Sequence, residues 1–303
     1  MTSGWSDPDI QRRLAAVRLC VLDVDGTLLN SRHQVTDRTR AAVHDARSAG
    51  LEVLLATSRG PAALEPVLND LRAPAGTSFV ASQGAVLGSF GEDGRLDITA
   101  HRPAPLDQAL AIARLAGALS LSVSWYSRSS WLVEALDPAI VREAEITHST
   151  PMLADLGRQT EGPDKLMVIA APDELTLLHQ VQEELGPGLR GQISNPTYLE
   201  ITAVDVDKAS TVLHYSNTRG YRSAQVMVMG DGPNDLGMFT VAGLSVAPAN
   251  ARPEVLDAAD VVSPSNDEDG VAFVLTRINQ TSARTWDRGD KRRTRSSRRS
   301  GGG

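Results

Sequence analysis

The stretch LCVLDVDGTLL, residues 19–29, places two aspartates directly after a continuous apolar run. The run Leu19–Leu22 shows no polar alternation, which is typical of a strand buried on both faces, as in a parallel sheet. Asp23 and Asp25 stand two residues apart, so on an extended chain their side chains point to the same side. Gly26 then indicates a turn. This stretch predicts two carboxylates at the carboxyl end of a central strand.

Predicted helices alternate with predicted strands on both sides of a central segment. Near the start of the chain, helices over 37–49 and 61–71 alternate with strands over 52–56 and 78–82. The same alternation returns from 208 to 278. Short connections between alternating strands and helices are typical of a Rossmann-like, doubly wound parallel sheet. We therefore predict an α/β fold for the two outer parts of the chain.

The segment between these two parts has a different order of predicted strands and helices. A hairpin predicted over 85–101 opens it, and two further hairpins follow with helices between them. This pattern predicts an inserted α+β unit with a mainly antiparallel sheet. The expected organisation is a core interrupted by one insertion and followed by a basic disordered tail, at 1–84, 85–203, 204–278 and 279–303.

The chain is acidic, with 30 lysines and arginines against 37 aspartates and glutamates and a formal net charge of −7. A protein that binds nucleic acid over its whole body should be basic, so the net charge disfavours this class. Residues 283–303 differ, because they carry eight basic and two acidic side chains. We expect no nucleic-acid partner, and weak contacts through this tail, confined to 284–299, are kept as an alternative.

Cysteine content and the N-terminus bear on the compartment. Cys20 is the only cysteine, which excludes a disulfide framework and a zinc site of clustered cysteines. The N-terminal residues MTSGWSDPDIQRR are polar, unlike a secretory signal. No apolar run approaches the ~18 residues that cross a bilayer. These features predict a cytoplasmic protein without a membrane partner, and they leave the oligomeric state open.

Polar residues follow the predicted strands at one edge of the sheet. Thr57 and Ser58 follow the second predicted strand, and the segment GDGPND at 230–235 follows a later one. Lys208 begins the helix that precedes this later strand. Ligands of open α/β sheets bind outside the carboxyl ends of the strands. These groups are therefore expected to meet the two aspartates of the first strand.

This set of side chains suits phosphate chemistry with a hard metal ion. Clustered carboxylates need a counter-cation, and Mg²⁺ is the natural choice because it keeps waters and a substrate phosphate as further ligands. Hydroxyl donors and a lysine suit a bound phosphate. One carboxylate can attack phosphorus as a nucleophile, while a second protonates the leaving oxygen and later activates water.

Four stretches, in this order along the chain, resemble the motifs of the haloacid dehalogenase superfamily. DVDGT at 23–27 resembles DxDx[TV], and GDGPND resembles GDxxND. LATSRG at 55–60 and VDVDKAS at 204–210 resemble the second and third motifs. The resemblance covers about residues 17–278. It is to the Cof-type phosphatase branch, in which an α+β cap is inserted after the third core strand.

The resemblance implies roles in catalysis and metal binding. Asp23 would be the nucleophile and Asp25 the general acid and base. Mg²⁺ would be held by the Asp23 side chain, the Asp25 backbone carbonyl and the Asp231 side chain. Asp235 would support the metal's waters or Lys208 from outside the set of ligands.

The remaining matches imply contacts with the phosphate. Thr57 and the backbone N–H of Ser58 would bind the phosphoryl group, and Lys208 would neutralise the nucleophile and the phosphate. Asn234 would orient the phosphate or the lysine. Ser58 stands where the family usually has glycine, so the shape of the pocket floor is in question here.

The resemblance implies a Mg²⁺-dependent phosphatase that hydrolyses a small phosphomonoester, a sugar phosphate or a related metabolite, through an aspartyl-phosphate. A phosphomutase, a phosphatase for a sugar-linked phosphate in a dedicated pathway, and a non-catalytic ligand-binding member of the fold are the alternatives. Within the insertion, Arg128 is a candidate contact for the substrate.

Purely structural interpretations stay open for single residues. Asp231, Asn234 and Asp235 also suit the first turn of a helix, and Thr57 and Ser58 suit helix caps. These roles are compatible with phosphate binding, so the sequence of motifs, rather than any one residue, carries the prediction.

Overall fold

The structure is a computed structural model, and it describes residues 4–281. The described strands form one sheet of eight and one of six. The strands are β1 Leu19–Leu22, β2 Glu52–Ala56, β3 Ser78–Ala81, β4 Val86–Phe90, β5 Leu96–His101, β6 Ser122–Ser127, β7 Ser130–Val133, β8 Met152–Leu153, β9 Lys165–Ile169, β10 Leu189–Asn195, β11 Tyr198–Ala203, β12 Val226–Met229, β13 Leu244–Pro248 and β14 Val261–Ser263. The α-helices are α1 Pro8–Ala16, α2 Asp37–Ser48, α3 Pro61–Asp70, α4 Leu106–Ala118, α5 Pro138–Thr147, α6 Leu175–Glu183, α7 Lys208–Thr218, α8 Leu236–Val241, α9 Pro253–Ala258 and α10 at 270–281.

The eight-stranded sheet is the core of the fold, in the order β14-β13-β12-β1-β2-β3-β4-β5. Every pair from β14 to β3 is parallel. Alternate residues of β1 face opposite sides of the sheet. Cys20 and Leu22 pack with α1, α2, α3 and α10, whereas Leu19 and Val21 pack with α7 and α8. Helices on both faces of a parallel-rich sheet confirm the predicted doubly wound α/β core.

Strands β4 and β5 form the hairpin that the sequence analysis placed in the inserted unit. Strand β4 pairs antiparallel with β3, and β5 pairs with β4, so the hairpin extends the core sheet. Val86 and Phe90 accordingly join the hydrophobic cluster of the core. That placement was wrong because local alternation predicts a hairpin without specifying which sheet it joins. We propose that the inserted unit begins after β5, and we refer to residues 104–203 as the cap.

The cap contains the six-stranded sheet, in the order β10-β11-β9-β6-β7-β8. All of its pairs are antiparallel except β7 with β8. Helices α4 and α6 pack on one face of this sheet and α5 packs on the other. This is the mainly antiparallel α+β arrangement that the sequence predicted for the insertion.

Some boundaries differ from the prediction. The segment after β12, where the sequence suits the first turn of a helix, begins as a 3₁₀ turn, Pro233–Asp235, and only then continues as α8. Helix α10 runs to residue 281, three residues into the predicted tail. The rest of that tail, 282–303, lies outside the described residues. Among residues 4–281, no helix combines the length and the apolar character needed to cross a membrane.

Candidate active site

The candidate site lies at the carboxyl edge of the core sheet, where β1 stands between β2 and β12. The segments that follow these strands carry Asp23 and Asp25, Thr57 and Ser58, and the segment 230–235. Parallel pairing places the ends of the three strands side by side, and this brings the polar segments together.

Lys208 connects two of the carboxylates. Its side chain is buried, and Nζ donates to Asp23 Oδ1 at 2.6 Å and to Asp235 Oδ1 at 2.8 Å. Burial alone lowers the pKa of a lysine, but the two carboxylates outweigh this effect and raise the pKa of Lys208, so it stays charged. Lys208 engages only one oxygen of Asp23. The other oxygen, Oδ2, accepts no hydrogen bond from residues 4–281.

Local sequence fixes the position of this lysine, the first residue of α7. Asp207 caps the helix, because its side chain accepts a hydrogen bond from the Ser210 N–H at 2.7 Å. Gly84, at φ +104°, packs against this cap, and a Cβ there would lie 2.2 Å from the Asp207 carbonyl oxygen. Only glycine fits this close approach, so the turn after β3 supports the start of α7.

Asp235 shapes the loop after β12. Its Oδ2 accepts the backbone N–H groups of Asp231 at 3.1 Å and Gly232 at 3.0 Å, while its Oδ1 accepts from Lys208. Both oxygens of Asp235 therefore already have partners within the protein. The carboxylate is placed to orient its neighbours, and its role beside a bound metal stays a prediction.

Asp231 packs against the turn that follows β1. Gly26 adopts φ +76°, and a Cβ at this position would lie 2.3 Å from Asp231 Oδ2. The Thr27 hydroxyl donates to Asp231 Oδ1 at 3.4 Å. Burial, followed by the charge of Asp235, raises the pKa of Asp231 to about 6. The glycine thus allows a partly buried carboxylate to approach the backbone of the first motif.

The acidic residues exceed the positive charge that the protein supplies. Asp23, Asp231 and Asp235 each offer an oxygen within 4.8 Å of the others. Burial, and then Asp235, raise the pKa of Asp23 well above its usual range despite Lys208. Oδ2 of Asp23 and Oδ2 of Asp231 remain without a hydrogen bond from the described residues. Such a set of free, crowded carboxylate oxygens fits a hard divalent cation such as Mg²⁺.

Asp25 lies apart from this cluster and is paired with Arg59. The guanidinium donates from Nε to Asp25 Oδ2 at 2.8 Å and from Nη2 to Oδ1 at 2.7 Å. His33 Nδ1 lies 3.7 Å from Oδ1. Burial raises the pKa of Asp25, but the contacts with His33 and Arg59 outweigh it and bring the pKa below its usual range. Asp25 is therefore ionised in this arrangement.

The predicted phosphate contacts fall in different places. Ser58 and Asn234 line a cavity, and the Ser58 carbonyl oxygen accepts from Lys165 Nζ at 2.6 Å. Thr57 is fully buried, and its hydroxyl oxygen accepts the Arg59 N–H at 3.0 Å. The Thr57 side chain lies outside the lining of that cavity.

The cavity has a volume of about 510 Å³ and is lined by the core and the cap. This volume is in the range of small-molecule sites. Its core lining includes the two aspartates of the first motif and Asp231. The cap contributes the side chains of Tyr126, Glu143, Lys165, Tyr198 and Glu200.

The sequence analysis missed the charged residues of the cap. Lys165 and Glu200 each stand in an otherwise largely apolar strand, and a charge in such a run is a signal for a buried functional group. Arg128 was the residue proposed instead. Its backbone N–H donates to Asp164, and its side chain lies 3.7 Å from Glu161 and outside the cavity lining. A contact between Arg128 and the substrate stays a prediction, and it has no support from the lining of this cavity.

Comparison with known proteins identifies the class. A family model described as haloacid dehalogenase-like hydrolase matches residues 20–275, most of the chain. The chain belongs to this family. The predicted family, the fold class and a hydrolase activity of the phosphatase type are thereby confirmed.

Relatives with more specific names cover nearly the whole described chain. The 5-amino-6-(5-phospho-D-ribitylamino)uracil phosphatase YcsE of Bacillus subtilis is 26% identical over 268 residues, 88% of this chain and 97% of that protein. The HMP-PP phosphatase of Cronobacter sakazakii is 28% identical over 249 residues, 79% of this chain and 86% of that protein. A haloacid dehalogenase-like hydrolase of Bacteroides thetaiotaomicron, solved by crystallography, matches with a TM-score of 0.78 and 28% identity over 86% of this chain and 99% of that one.

Proposed function

We propose that the protein is a Mg²⁺-dependent phosphatase that hydrolyses a small phosphomonoester, a sugar phosphate or related metabolite, through an aspartyl-phosphate. One observation carries the proposal: Lys208 holds Asp23 by Oδ1 and leaves Oδ2 free at a cavity of small-molecule size. A fixed carboxylate with one free oxygen is suited to nucleophilic attack. The two relatives named as phosphatases, for a phosphoribityl compound and for HMP-PP, support a small phosphorylated substrate.

The reaction takes two displacements at phosphorus. Asp23 Oδ2 attacks the phosphorus, the bond to the ester oxygen breaks, and Asp25 gives its proton to the leaving alcohol. Asp25 then takes a proton from water, whose oxygen attacks the phosphorus and releases inorganic phosphate and free Asp23. Arg59 holds Asp25 ionised, the form needed in the second step. Proton donation in the first step therefore requires the Asp25–Arg59 pair to separate and Asp25 to take up a proton from solvent before the ester bond breaks.

The surrounding residues bind and orient the reacting groups. Mg²⁺ would be held by the Asp23 and Asp231 side chains and the Asp25 carbonyl, and when bound it supplies positive charge beside the phosphoryl oxygens. Lys208 opposes the burial that raises the pKa of Asp23, and it adds positive charge to the same site. Asp235 orients Lys208 and the loop of Asp231.

Three donors complete the proposed phosphate site. The backbone N–H of Ser58 and the amide of Asn234 lie at the cavity and are suited to the phosphoryl oxygens. The Thr57 hydroxyl would have to turn from its buried position to donate as well. A Thr57→Val change is thus a weaker test of the mechanism than a change of Asp23.

The test is phosphate release from a panel of phosphorylated metabolites, with and without Mg²⁺. Asp23→Asn should lower turnover by about 10³-fold or more, because the amide is not a nucleophile. Asp45→Asn, an exposed aspartate of α2, is the matched control and should behave as the parent chain. Normal turnover by Asp23→Asn would contradict the mechanism. Retention of labelled phosphate on an organic product would instead indicate a mutase.

A further inference from the structure

The cap lining of the cavity comes from one face of the six-stranded sheet. Side chains alternate along each strand, so Leu166 and Val168 face α4 and α6, whereas Lys165 and Met167 face the cavity. On β11, the same alternation directs Glu200 to the cavity. Lys165 and Glu200, the charged residues of these two apolar strands, therefore both lie on the face that lines the cavity.

Helix α5 covers the same face and adds a third charged group. Glu143, Ile146 and Thr147 line the cavity at helical spacing. Glu145 lies on the opposite side of the helix and is exposed. The start of the helix is fixed by Asp137, whose side chain accepts the N–H groups of the first turn.

Two of the three charged groups in the cap lining, Lys165 and Glu200, each have more than one partner within the protein. Lys165 Nζ donates to the Ser58 carbonyl and lies 3.6 Å from Glu200 Oε2. Glu200 Oε2 accepts from the Gln83 amide at 2.6 Å, and Oε1 accepts from the Ser194 hydroxyl at 3.0 Å. Both oxygens of Glu200 are thus engaged within the protein.

Glu143 differs from Glu200. It is only 8% exposed, and Tyr198 donates to its Oε2 at 2.7 Å. Its other oxygen, Oε1, accepts no hydrogen bond from residues 4–281. Burial raises the pKa of Glu143, although the Tyr198 bond opposes the shift. Because Glu143 lines the cavity, a donor on a bound ligand can reach the oxygen that Tyr198 leaves free.

The charge of the cap lining points to the ligand chemistry. The cations near Glu143 and Glu200 already have partners: Lys165 contacts Ser58 and Glu200, and Arg59 of the core is paired with Asp25. A leaving group with its own carboxylate would therefore bring a further negative charge to this end of the cavity without a free cation among residues 4–281 to pair with it. A neutral leaving group with hydroxyl donors would satisfy Glu143 instead.

Accepting the phosphatase activity proposed above, we propose that Glu143 is a specificity-determining residue that accepts a hydrogen bond from a hydroxyl of the leaving group. The cap lining thereby selects phosphate esters of neutral polyols over esters that carry a second anion. This assigns a substrate class from the cap, independently of the core residues that act on the phosphoryl group.

A matched pair of esters tests the assignment. Sorbitol 6-phosphate and 6-phosphogluconate differ at the far end of the chain, where one has a hydroxymethyl group and the other a carboxylate. The parent chain should prefer sorbitol 6-phosphate by about tenfold or more in kcat/KM. Glu143→Gln keeps an oxygen for Tyr198 but removes the charge, and it should bring the two values within about threefold. Glu145→Gln should keep the parent ratio.

The ratio separates specificity from damage to the fold, since a structural defect lowers both values together. Equal kcat/KM values in the parent chain, or an unchanged ratio in Glu143→Gln, would overturn the assignment while leaving the phosphatase activity standing. If neither ester is hydrolysed, calorimetric dissociation constants for both esters give the same ratio without turnover. Weaker binding of 6-phosphogluconate that disappears in Glu143→Gln then supports the assignment, and equal binding by the parent chain overturns it.

Discussion

Replacing Asp231 by asparagine should stabilise the metal-free protein and weaken its response to Mg²⁺. In the folded chain, burial and then Asp235 raise the pKa of Asp231 from 3.8 to about 6. The folded state therefore binds this proton more tightly than the unfolded state. By linkage, the contribution of Asp231 to the free energy of unfolding falls as the pH rises through this window.

The size of the effect follows from the pKa difference. Two pKa units correspond to about 3 kcal/mol at 1.36 kcal/mol per unit, so ionised Asp231 destabilises the metal-free fold by up to about 3 kcal/mol at neutral pH. Below about pH 4 the carboxyl is protonated in both states and this cost vanishes. The asparagine side chain has nearly the same shape as that of aspartate and never ionises. The stabilisation by Asp231→Asn should thus be largest near neutral pH and shrink towards pH 4.

Chemical denaturation near neutral pH and near pH 4, in EDTA and in saturating MgCl₂, measures the stabilisation of the metal-free protein and its response to Mg²⁺. The parent chain should gain stability from Mg²⁺, since a ligand that binds only the folded state stabilises it by mass action. Asp231→Asn should gain much less, because it lacks a carboxylate oxygen of the site. The reasoning is refuted if the variant is less stable than the parent in EDTA near neutral pH, or if Mg²⁺ stabilises both chains equally. Asp45→Asn again serves as the control.

Two further substitutions probe the packing around the site. Gly26→Ala should lower the free energy of unfolding by about 1–3 kcal/mol and weaken Mg²⁺ activation, because a Cβ at φ +76° would lie 2.3 Å from Asp231 Oδ2. Chemical denaturation and a Mg²⁺ titration of activity check this. A variant with parental values in both measurements would contradict it. Lys165→Met should lower the free energy of unfolding, measured by urea titration, by about 3–5 kcal/mol, because Glu200 loses its cation. The double variant Lys165→Met, Glu200→Gln should recover part of that stability. No recovery would show that the Ser58 contact, and not the ion pair, carries the effect of Lys165.

The core site could be predicted from sequence because each of its parts is local. Asp23 follows an apolar strand directly, and Lys208 begins a helix with its own cap, so short motifs specify where these groups stand. The pairing of Asp25 with Arg59 could not be predicted in the same way. It depends on how the turn after β2 meets the turn after β1, which is a tertiary contact between segments 34 residues apart.

The residues of the cap that line the cavity could not be predicted from local sequence pattern. Period-two alternation predicts the strands of the cap but not which face meets the core. The charges of Lys165 and Glu200 therefore indicate buried functional groups, but the sequence does not show which cavity they line. The sequence does not single out Glu143 as a cavity residue, because Glu145 two residues later is chemically identical. Only the packing of α5 distinguishes the two. The sheet that the hairpin β4–β5 joins could not be predicted for a related reason, because it is decided by the pairing of β4 with β3.

Both ends of the cavity share one electrostatic feature, and it implies two different partners. At the core end, Asp23 and Asp231 keep free oxygens beside a single lysine, and three crowded carboxylates are compensated best by a divalent cation. At the cap end, Glu143 keeps one free oxygen while both oxygens of Glu200 already have partners, so a neutral donor compensates Glu143 without a metal. The same excess of negative charge thus selects a metal where several free carboxylate oxygens converge and a hydroxyl where only one is free. Because the two ends lie on separate sheets, substitutions in the cap can change the leaving group while the core keeps the geometry of phosphoryl transfer.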